Sequence, residues 1–409
     1  MLKKVPFLSI IVFVIVAACF LASLITYVET DKFWKNEVDR LLVSSRRETT
    51  KDLSELMDTV GNNYVYPTES SVLAEGVMKG YVDALPDRFS MYMDEKSYQD
   101  FKAFENSASN AGIGVSTLYD STREGLYIIN VYKGSPAEQS GIVPGDIITH
   151  IDGSFVGNMG YYSVMYKLGG GREDDKVELA VRKLDGHSDV LNITRSKVAS
   201  EGITYEKLGD GVGFVRISRF GIGDESAFKA ALESLIRAGC EKFVLDVRNN
   251  PGGDIETVSR ILDFVLGDGP VFTVADKSGA TNTFTSDTSA LPYPIAVLVN
   301  ENTVCEAEVF AKALSNFGAA TLFGVPTYGK ASSQSVYPLS NGGAASISTL
   351  KYALVGSEDF DGIGIIPDVT VALSDELKSR FTTITHAEDS QLQAAVDYIK
   401  TKKIFDFHD

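Results

Sequence analysis

A cysteine, a lysine and a glutamine in the last third of the chain have the types and spacing for nucleophilic chemistry. Cys305 follows a strand-like apolar run and a short turn, Lys330 lies 25 residues further on, and Gln334 follows four residues later. Thr303 and Glu306 fit a capping box, which predicts a helix whose first turn contains Cys305. The positive end of the helix dipole favours an anion there, so we expect a lowered thiol pKa and a sharpened nucleophile.

A neutral lysine is a base that can activate such a nucleophile. Lys330 follows a second apolar run and the turn 326–329, so it can be buried between strand and turn. Burial disfavours the charged form of a lysine and lets it accept a proton near pH 7. Taken in isolation, a single cysteine is more commonly a small core residue and a single lysine a solvated charge.

A tight Gly-Gly turn is a second chemical feature. The segment 242–253 begins as a β-branched strand, continues through Asp246 and Arg248, and ends in Gly252 and Gly253. Glycines let backbone N–H groups approach a bound oxyanion closely. An ordinary strand-to-helix turn has the same composition, and this alternative stays open.

The elements that must position these residues alternate between strands and helices. Strand patterns occupy 211–218, the start of 242–253, 294–299 and 320–325. Apolar residues at helical spacing occupy 228–236, 255–265, 309–317 and 391–404. Such alternation predicts an α/β sheet with helical crossovers, followed by a C-terminal helix.

Two of these segments carry a family resemblance. The sequences VNENTVCEAE (299–308) and GVPTYGKASSQ (324–334) resemble the tail-specific, or carboxyl-terminal processing, peptidases. The family pattern is V-N-x-x-S-A-S-A-S-E, followed by G-x-x-T-[FY]-G-K-x-x-x-Q. Members use a serine/lysine dyad supported by a glutamine, so the resemblance implies a serine-type peptidase, a hydrolase that performs proteolysis. It covers about 76–371 and implies no cofactor.

The resemblance assigns roles to individual residues. Lys330 matches the family's base, Gln334 its supporting glutamine, and Glu308 the glutamate three residues past the nucleophile. Cys305 stands where the family has the nucleophilic serine. The resemblance further implies an oxyanion-binding role for the Gly-Gly turn and a site-shaping role for polar residues around it. These residues are Gly252, Gly253, Asp246, Arg248 and Glu308. A structural ion-pair network is an equal alternative for the charged ones.

The cysteine leaves two functions open. Beside Lys330, the Cys305 thiol can form a thiolate–ammonium pair, which attacks a peptide carbonyl while the ammonium protonates the leaving amine. The alternative is a catalytically inactive PDZ-containing protein that binds peptides or acts as a scaffold and has lost the chemistry.

Residues 106–198 resemble a PDZ domain. The loop Gly112, Ile113, Gly114 and Val115 resembles its carboxylate-binding loop, in which small residues let backbone N–H groups point at a terminal carboxylate. The run 125–156 continues the match, with Pro136 near the start of a short helix. The resemblance implies capture of polypeptide C-termini; a PDZ fold that serves only as a lid or spacer is the alternative.

The N-terminus contains an uncharged apolar run at 5–28, preceded by Lys3 and Lys4. This length can cross a hydrocarbon core of roughly 30 Å, and the lysines put the N-terminus inside. We therefore expect a transmembrane anchor and a single-pass cell-membrane protein whose later domains are extracytoplasmic. A cleaved signal peptide, or lipidation at Cys19, is the alternative.

Composition excludes several other functions. The net charge of −17 argues against nucleic-acid binding, which needs a basic surface. The four histidines, which are His150, His187, His386 and His408, are scattered, so neither a metal site nor a histidine-dependent triad is expected. The substrate, cleavage preference and oligomeric state stay open, a homo-oligomer included.

The predicted fold class is an α/β (α+β) protease core with an inserted PDZ domain, an N-terminal helical segment and a transmembrane helix. The predicted domains are 1–28 as anchor, 29–105 as a helical region, 106–198 as the PDZ domain, and 199–409 as the protease core with its C-terminal helix.

Overall fold

The computed structural model of the protein describes seven stretches of the chain. They are residues 46–106, 111–118, 125–159, 161–198, 202–287, 290–379 and 381–402. The chain divides into two units, one ending at Leu73 and the other beginning at Ala74. The described part of the first unit contains a helix over 46–63, here α1, and the start of α2 (Ser70–Asp83), which continues into the second unit.

The prediction of a transmembrane helix is wrong for the part of the chain that the structure describes. A spanning helix needs about 20 consecutive apolar residues. Within the ranges given above, no helix is both long enough and apolar enough to cross a bilayer. The run 5–28, on which the prediction depends, lies outside the described residues. The fold class therefore includes no transmembrane helix among the described residues. The predicted single-pass membrane location is not supported either.

The region predicted as helical also supplies a strand. After α2 the chain forms β1 (Met91–Met93) and then α3 (Glu95–Asn106). Strand β1 pairs antiparallel with residues 344–346, far along the chain. The segment 87–93 therefore lies against the α/β part of the protein, which matters for the site described below.

Residues 111–198 form a β-rich unit with its own core. In chain order its elements are β2 (Ala111–Gly112), β3 (Val115–Leu118), β4 (Leu126–Val131), α4 (Pro136–Gln139), β5 (Ile147–Ile151), β6 (Ser154–Phe155), α5 (Tyr161–Gly169), β7 (Lys176–Arg182), β8 (Ser188–Thr194) and β9 (Ser196–Lys197). One sheet has the order β3-β4-β5-β7-β8, with β6 beside β5, and β2 pairs with β9. Ser135 caps α4 by accepting from the Glu138 N–H, and Pro136 opens that helix as predicted.

Strand β4 is buried on both faces, which explains its uninterrupted apolar sequence. Ile128 and Val131 pack into the core of the β-rich unit. Tyr127 and Ile129 instead pack into the main core of the α/β part. One strand therefore joins the two hydrophobic cores.

The rest of the chain is the α/β part. Its elements are β10 (Ile203–Lys207), β11 (Val212–Ile217), α6 (Asp224–Arg237), β12 (Lys242–Asp246), α7 (Ile255–Val265), β13 (Gly269–Asp276), β14 (Thr281–Ser286), β15 (Ile295–Val299), α8 (Glu306–Asn316), β16 (Ala320–Gly324), β17 (Ser332–Pro338), β18 (Ala344–Leu354), β19 (Val369–Thr370), α9 (Asp375–Ser379) and α10 (Ser390–Lys400). They confirm the mixed α/β fold predicted from the alternating pattern.

Two sheets organise this part. The first has the order β10-β11-β12-β15-β16-β19 and is parallel except for its antiparallel pair β10–β11. Side chains from α6, α7 and α8 cover one face and those from α10 the other, so β15 is buried throughout. The second sheet is antiparallel, with the order β1-β18-β13-β14 and β17 beside β18.

Candidate active site

The carboxyl ends of two neighbouring parallel strands bring the Gly-Gly turn and Cys305 together. Strands β12 and β15 are paired, so the loops that follow them leave the same edge of the sheet. The Val304 N–H donates to the Asn250 carbonyl oxygen at 2.9 Å. The Thr303 hydroxyl donates to the Val247 carbonyl oxygen at 2.9 Å. These bonds fasten the turn before Cys305 to the loop that contains Gly252 and Gly253.

Cys305 lies at a sharp strand-to-helix turn with an uncommon backbone conformation. Its φ and ψ are 58° and −119°, which cost a non-glycine residue about 1–3 kcal/mol. Helix α8 begins at Glu306, so Cys305 is the N-cap, two residues later than the predicted cap Thr303. The capping-box partner is Glu308, whose Oε2 accepts from the Cys305 N–H at 2.9 Å. A strained strand-to-helix turn of this kind displays the nucleophile in α/β-hydrolases.

A cluster of asparagines, which the sequence analysis missed, braces this turn. Asn249 has a left-handed backbone with φ 57°, and its Oδ1 accepts from the side-chain amides of Asn300 and Asn302 at 2.8 and 2.9 Å. The Tyr127 hydroxyl of β4 donates to Asn302 Oδ1 at 2.7 Å. The β-rich unit therefore contacts the turn three residues before Cys305 through a buried hydrogen bond.

The Cys305 thiol is buried among acceptors. Its Sγ lies 3.2 Å from Glu306 Oε1 and 3.5 Å from the Ser332 carbonyl oxygen. Burial and the Glu306 carboxylate raise the pKa of the thiol well above its ordinary value, although the charge of Lys330 acts in the opposite direction. This differs from the lowered pKa that the helix dipole predicts, because desolvation and an adjacent carboxylate outweigh the dipole.

Glu306 occupies the space between the thiol and the Gly-Gly turn. Its Oε2 accepts from the Gly253 N–H at 2.9 Å, and its Oε1 accepts from the Tyr352 hydroxyl at 2.7 Å. The Gly252 N–H donates to Asn250 Oδ1 at 2.8 Å. Both N–H groups of the predicted oxyanion site are therefore bonded to protein side chains in this conformation.

Sequence reasoning treated Glu306 only as a helix cap and missed this contact. The signal that could have found it is a departure from the family pattern. The residue after the nucleophile is alanine in that pattern and glutamate here. A carboxylate at this position can reach both the nucleophile and the turn opposite it, whereas an alanine methyl group cannot.

Glu308 joins the start of α8 to the loop that contains Lys330. Its carboxylate accepts from Cys305 N and Lys330 N at 2.9 Å, from Gly329 N at 2.7 Å and from the Thr327 hydroxyl at 2.5 Å. Burial raises the pKa of Glu308 to about 7, and these four donors offset part of that effect. Glu308 thus holds the nucleophile position and the lysine loop in one arrangement.

The raised pKa of Glu308 predicts a pH-dependent stability. Between its unfolded pKa of 4.5 and its folded pKa of about 7, the folded state binds more protons than the unfolded state. Stability should therefore fall as pH rises through this window, by about 3 kcal/mol in total. Glu308→Gln cannot titrate, so its stability relative to wild type should rise by about 2.5 kcal/mol from pH 5 to pH 8. Urea unfolding at both pH values measures this, and parallel stability curves would show that Glu308 stays ionised throughout.

The Lys330 loop is held by close backbone contacts. Gly329 has φ 85°, and a Cβ there would lie 2.7 Å from the Gly364 nitrogen. The Thr327 N–H donates to the Ile365 carbonyl oxygen at 3.1 Å. Only glycine therefore fits at position 329. The contact of Gly329 with Gly364 and the bond from Thr327 to Ile365 explain why the motifs at 324–334 and 362–371 occur together.

The lysine itself faces the segment before β1. Lys330 Nζ lies 5.1 Å from the centroid of the Phe89 ring and is partly exposed. Burial would raise the pKa of Asp87, but hydrogen bonds from Ser348 and Ser90, and the charge of Lys330, lower it. The residues 87–90 are therefore part of the site, although the sequence analysis treated them only as a partial match to a family turn.

The predicted dyad residues lie in one region without direct hydrogen bonds between them. The charge of Lys330 lowers the pKa of the Cys305 thiol, but the polar contacts of that thiol are with Glu306 and Ser332. Gln334 donates to the hydroxyls of Ser332 and Ser348 at 3.3 and 2.8 Å. Its contact with Lys330 stays a prediction, and Ser332 is the residue that Gln334 and Cys305 have in common.

Asp246 and Arg248 form a buried ion-pair network. Arg248 Nη2 lies 2.8 Å from Asp246 Oδ2 and 2.7 Å from Asp389 Oδ2. Its Nη1 also donates to Gln391 Oε1 at 2.9 Å. Arg216 adds a weaker contact to Asp246 at 3.3 Å. This geometry favours the structural alternative for both residues, because their partners come from β12 and the start of α10.

The predicted carboxylate-binding loop has a mixed geometry. Gly114 has φ 81°, and a Cβ there would lie 2.3 Å from the Ser135 Cβ. Ile113 is fully buried, and its N–H donates to the Leu168 carbonyl oxygen at 3.0 Å. Gly112 is buried beside Gly169, and Val115 begins β3. The loop therefore turns next to α5, while the Ile113 N–H is already used within the fold.

Comparison with known proteins matches both parts of the chain. Residues 211–371 match Peptidase family S41, and residues 109–194 match a PDZ domain. "Carboxyl-terminal-processing peptidase 2, chloroplastic" of Arabidopsis thaliana is 31% identical to this chain. The match covers 71% of this chain but only 59% of that relative's length. The "Probable CtpA-like serine protease" of Staphylococcus aureus (strain COL) is 26% identical over 90% of this chain and 73% of that protein.

A solved structure agrees with these matches. The protein described as photosystem II D1 C-terminal processing protease is 26% identical and superposes with a TM-score of 0.65, covering 78% of this chain and 86% of that chain. The two family matches include Cys305, the Lys330 loop and most of the β-rich unit. Residues 211–371 therefore belong to Peptidase family S41 and residues 109–194 to the PDZ domains, and the chain as a whole is similar to the carboxyl-terminal processing peptidases.

Proposed function

We propose that the protein is a peptidase that cleaves polypeptides near their C-terminal end, with Cys305 as nucleophile and Lys330 as general base. The observation that supports this most strongly is the backbone of Cys305. That conformation is strained and lies at the carboxyl edge of the sheet, and the Sγ contacts the Ser332 carbonyl oxygen and the Glu306 carboxylate, which in turn accepts from the Gly253 N–H. A buried cysteine with only a packing role does not require such a conformation.

In the proposed reaction, Lys330 in its neutral form takes the Cys305 proton. The thiolate attacks the scissile carbonyl carbon, the new C–S bond forms and the carbonyl π electrons move to oxygen. The Gly253 N–H stabilises that oxygen once Glu306 has left it. The C–N bond then breaks as the Lys330 ammonium protonates the amine. Water cleaves the thioester and restores the thiol.

Three further residues have supporting roles in this proposal. Gln334 acts as a positioning residue through Ser332, because it donates to the Ser332 hydroxyl and the carbonyl oxygen of Ser332 contacts the thiol. Gly252 shapes the turn; its N–H is held by Asn250. Glu308 fixes Cys305 and Lys330 relative to each other.

The β-rich PDZ unit is proposed to capture the substrate C-terminus. Strand β3 is the outer strand of its sheet in the described part of the chain, so it offers an edge to which an extended peptide can add. The loop 112–115 leads directly into β3. Tyr127, on the neighbouring strand β4, then contacts Asn302 near the nucleophile.

A second candidate function is peptide binding without turnover. The observation that favours it is that Glu306 accepts from both the Cys305 thiol and the Gly253 N–H, while burial raises the pKa of that thiol. On this second function, Cys305 and Glu306 together have abolished the peptidase activity that the family resemblance implies.

Cleavage of an unfolded polypeptide with an apolar C-terminus separates the two functions. We expect the full-length protein to cleave it and Cys305→Ala to be at least about 100-fold slower. Cys240→Ala, which alters another buried cysteine, is the matched control and should retain activity. An inert wild type together with an active Cys305→Ser variant would favour the second candidate, and full activity of Cys305→Ala would exclude Cys305 as nucleophile.

A further inference from the structure

Glu306 is a buried acidic residue at a position that has no use for a carboxylate in the proposed reaction. Both of its oxygens are bonded: Oε1 to the Cys305 thiol and the Tyr352 hydroxyl, and Oε2 to the Gly253 N–H. A Cβ built on Gly252 would lie 2.3 Å from Oε2, so the carboxylate lies directly against the Gly-Gly backbone.

We propose that the Glu306 carboxylate is a built-in competitor of the substrate carbonyl, and that Cys305 can be acylated only after Glu306 turns away. This inference rests on the proposed peptidase function. It makes the described arrangement a closed state of the site, whose opening sets how much of the protein is competent for catalysis.

The Glu306 carboxylate lies at the distances that an attacked carbonyl group would need. Donors of an oxyanion site must lie about 2.7–3.1 Å from the oxygen that develops charge. Glu306 Oε2 lies 2.9 Å from the Gly253 nitrogen, and the other oxygen of the same carboxylate lies 3.2 Å from Cys305 Sγ. A carbonyl group attacked by Sγ and bound by Gly253 must occupy the same space, so the two exclude each other.

The second argument is electrostatic. A carboxylate next to a thiol opposes ionisation of that thiol, and a carboxylate next to an oxyanion site repels a second negative oxygen. Glu306 therefore hinders both charges that the reaction develops. Its removal should accordingly increase thiol reactivity and oxyanion binding together, which a purely structural cap would not do.

Tyr352 is the residue that holds Glu306 in place. It belongs to β18, and its hydroxyl donates to Glu306 Oε1 at 2.7 Å. Its backbone N–H donates to the Ala331 carbonyl oxygen, next to Lys330. The closed state is therefore connected to the β17–β18 hairpin, and Tyr352→Phe should weaken it without removing the carboxylate.

Thiol alkylation of the full-length protein tests this without requiring turnover. Iodoacetamide labelling of Cys305, followed by peptide mass spectrometry, should be at least 10-fold faster in Glu306→Ala than in wild type, with Tyr352→Phe between them. Glu256→Ala is the matched control, because Glu256 is an exposed acidic residue in the first turn of α7 and should leave the rate unchanged.

A peptide aldehyde ending in alanine probes the oxyanion position. It forms a hemithioacetal: the Sγ–C bond forms, the C=O π bond breaks, and the thiol proton moves to the new oxygen. Glu306→Ala should bind this aldehyde at least 10-fold more tightly than wild type. Glu306→Gln keeps the shape but loses the charge, so its alkylation rate should rise while its aldehyde affinity rises less.

The outcomes distinguish the inference from the proposed function. Unchanged alkylation and aldehyde affinity in both Glu306→Ala and Glu306→Gln would overturn the inference and leave Glu306 a structural cap. If Glu306→Ala unfolds, Glu306→Gln and Tyr352→Phe decide by the same two measurements. Faster alkylation and tighter aldehyde binding, with no cleavage by any variant, would uphold the closed state and reject the peptidase.

Discussion

Replacing Lys330 by alanine is expected to slow polypeptide cleavage by at least about 100-fold, because it removes the general base and the acid that protonates the leaving amine. Lys330 is partly exposed, and its ammonium lies over the Phe89 ring. The stability of the variant should therefore stay within about 0.5 kcal/mol of wild type. Lys330→Arg should lose activity equally, since a guanidinium stays protonated and cannot act as a base.

The charge of Lys330 provides a second measurement on the same variant. Because that charge lowers the pKa of the Cys305 thiol, its removal should move the alkylation of Cys305 to higher pH. Lys351→Ala is the matched control, because Lys351 is an exposed lysine paired with Asp359. Cleavage by Lys330→Ala at the wild-type rate would show that another group takes the thiol proton, with Glu306 the nearest carboxylate.

Replacing Arg248 by alanine is expected to give the largest loss of stability. Asp246 and Asp389 are buried and both depend on this guanidinium. Removing one partner of a buried ion pair costs roughly 3–5 kcal/mol, since Asp389 then stays buried without its guanidinium partner and Asp246 keeps only the weaker contact with Arg216. At about 2–4 °C per kcal/mol for domains of this size class, the melting temperature should fall by about 6–20 °C.

An exposed arginine provides the comparison for this loss. Arg237 at the end of α6 is 70% exposed and pairs with Glu233 at 3.7 Å, so Arg237→Ala should change stability by less than about 1 kcal/mol. Calorimetry of both variants measures the difference. An unchanged melting temperature for Arg248→Ala, accompanied by lost cleavage, would instead support the site-shaping role that the family resemblance implies.

The sequence was sufficient to predict that Cys305 and the Gly-Gly turn lie at one edge of the sheet, but not to predict the pKa of the thiol. The alternation of strands and helices predicted a sheet, and in a parallel sheet the loops after β12 and β15 must meet at one edge. The spacing of the motifs therefore brought Cys305 near the Gly-Gly turn. The pKa of the thiol depends on the rotamer and burial of Glu306, which no local pattern encodes.

The sequence also did not predict which residues pair with each other when they lie far apart along the chain. Arg248 pairs with Asp389, which lies 141 positions later at the start of α10, and no motif links the two. Strand β1 lies in a region whose periodicity is helical, and its partner is about 250 residues away. The membrane prediction relied on the length and hydropathy of the run 5–28 and on the two lysines before it, and no helix in the described stretches supports it.

Cys305 is expected to form a covalent acyl intermediate, which intact-mass analysis of acid-quenched reactions detects. The full-length protein and Glu306→Ala would be mixed with a polypeptide substrate and quenched during turnover. We expect a mass gain equal to the N-terminal product minus one water, located on Cys305, released by hydroxylamine and absent in Cys305→Ala. Product formation without any adduct on Cys305, at an equal rate in Cys305→Ala, would contradict it.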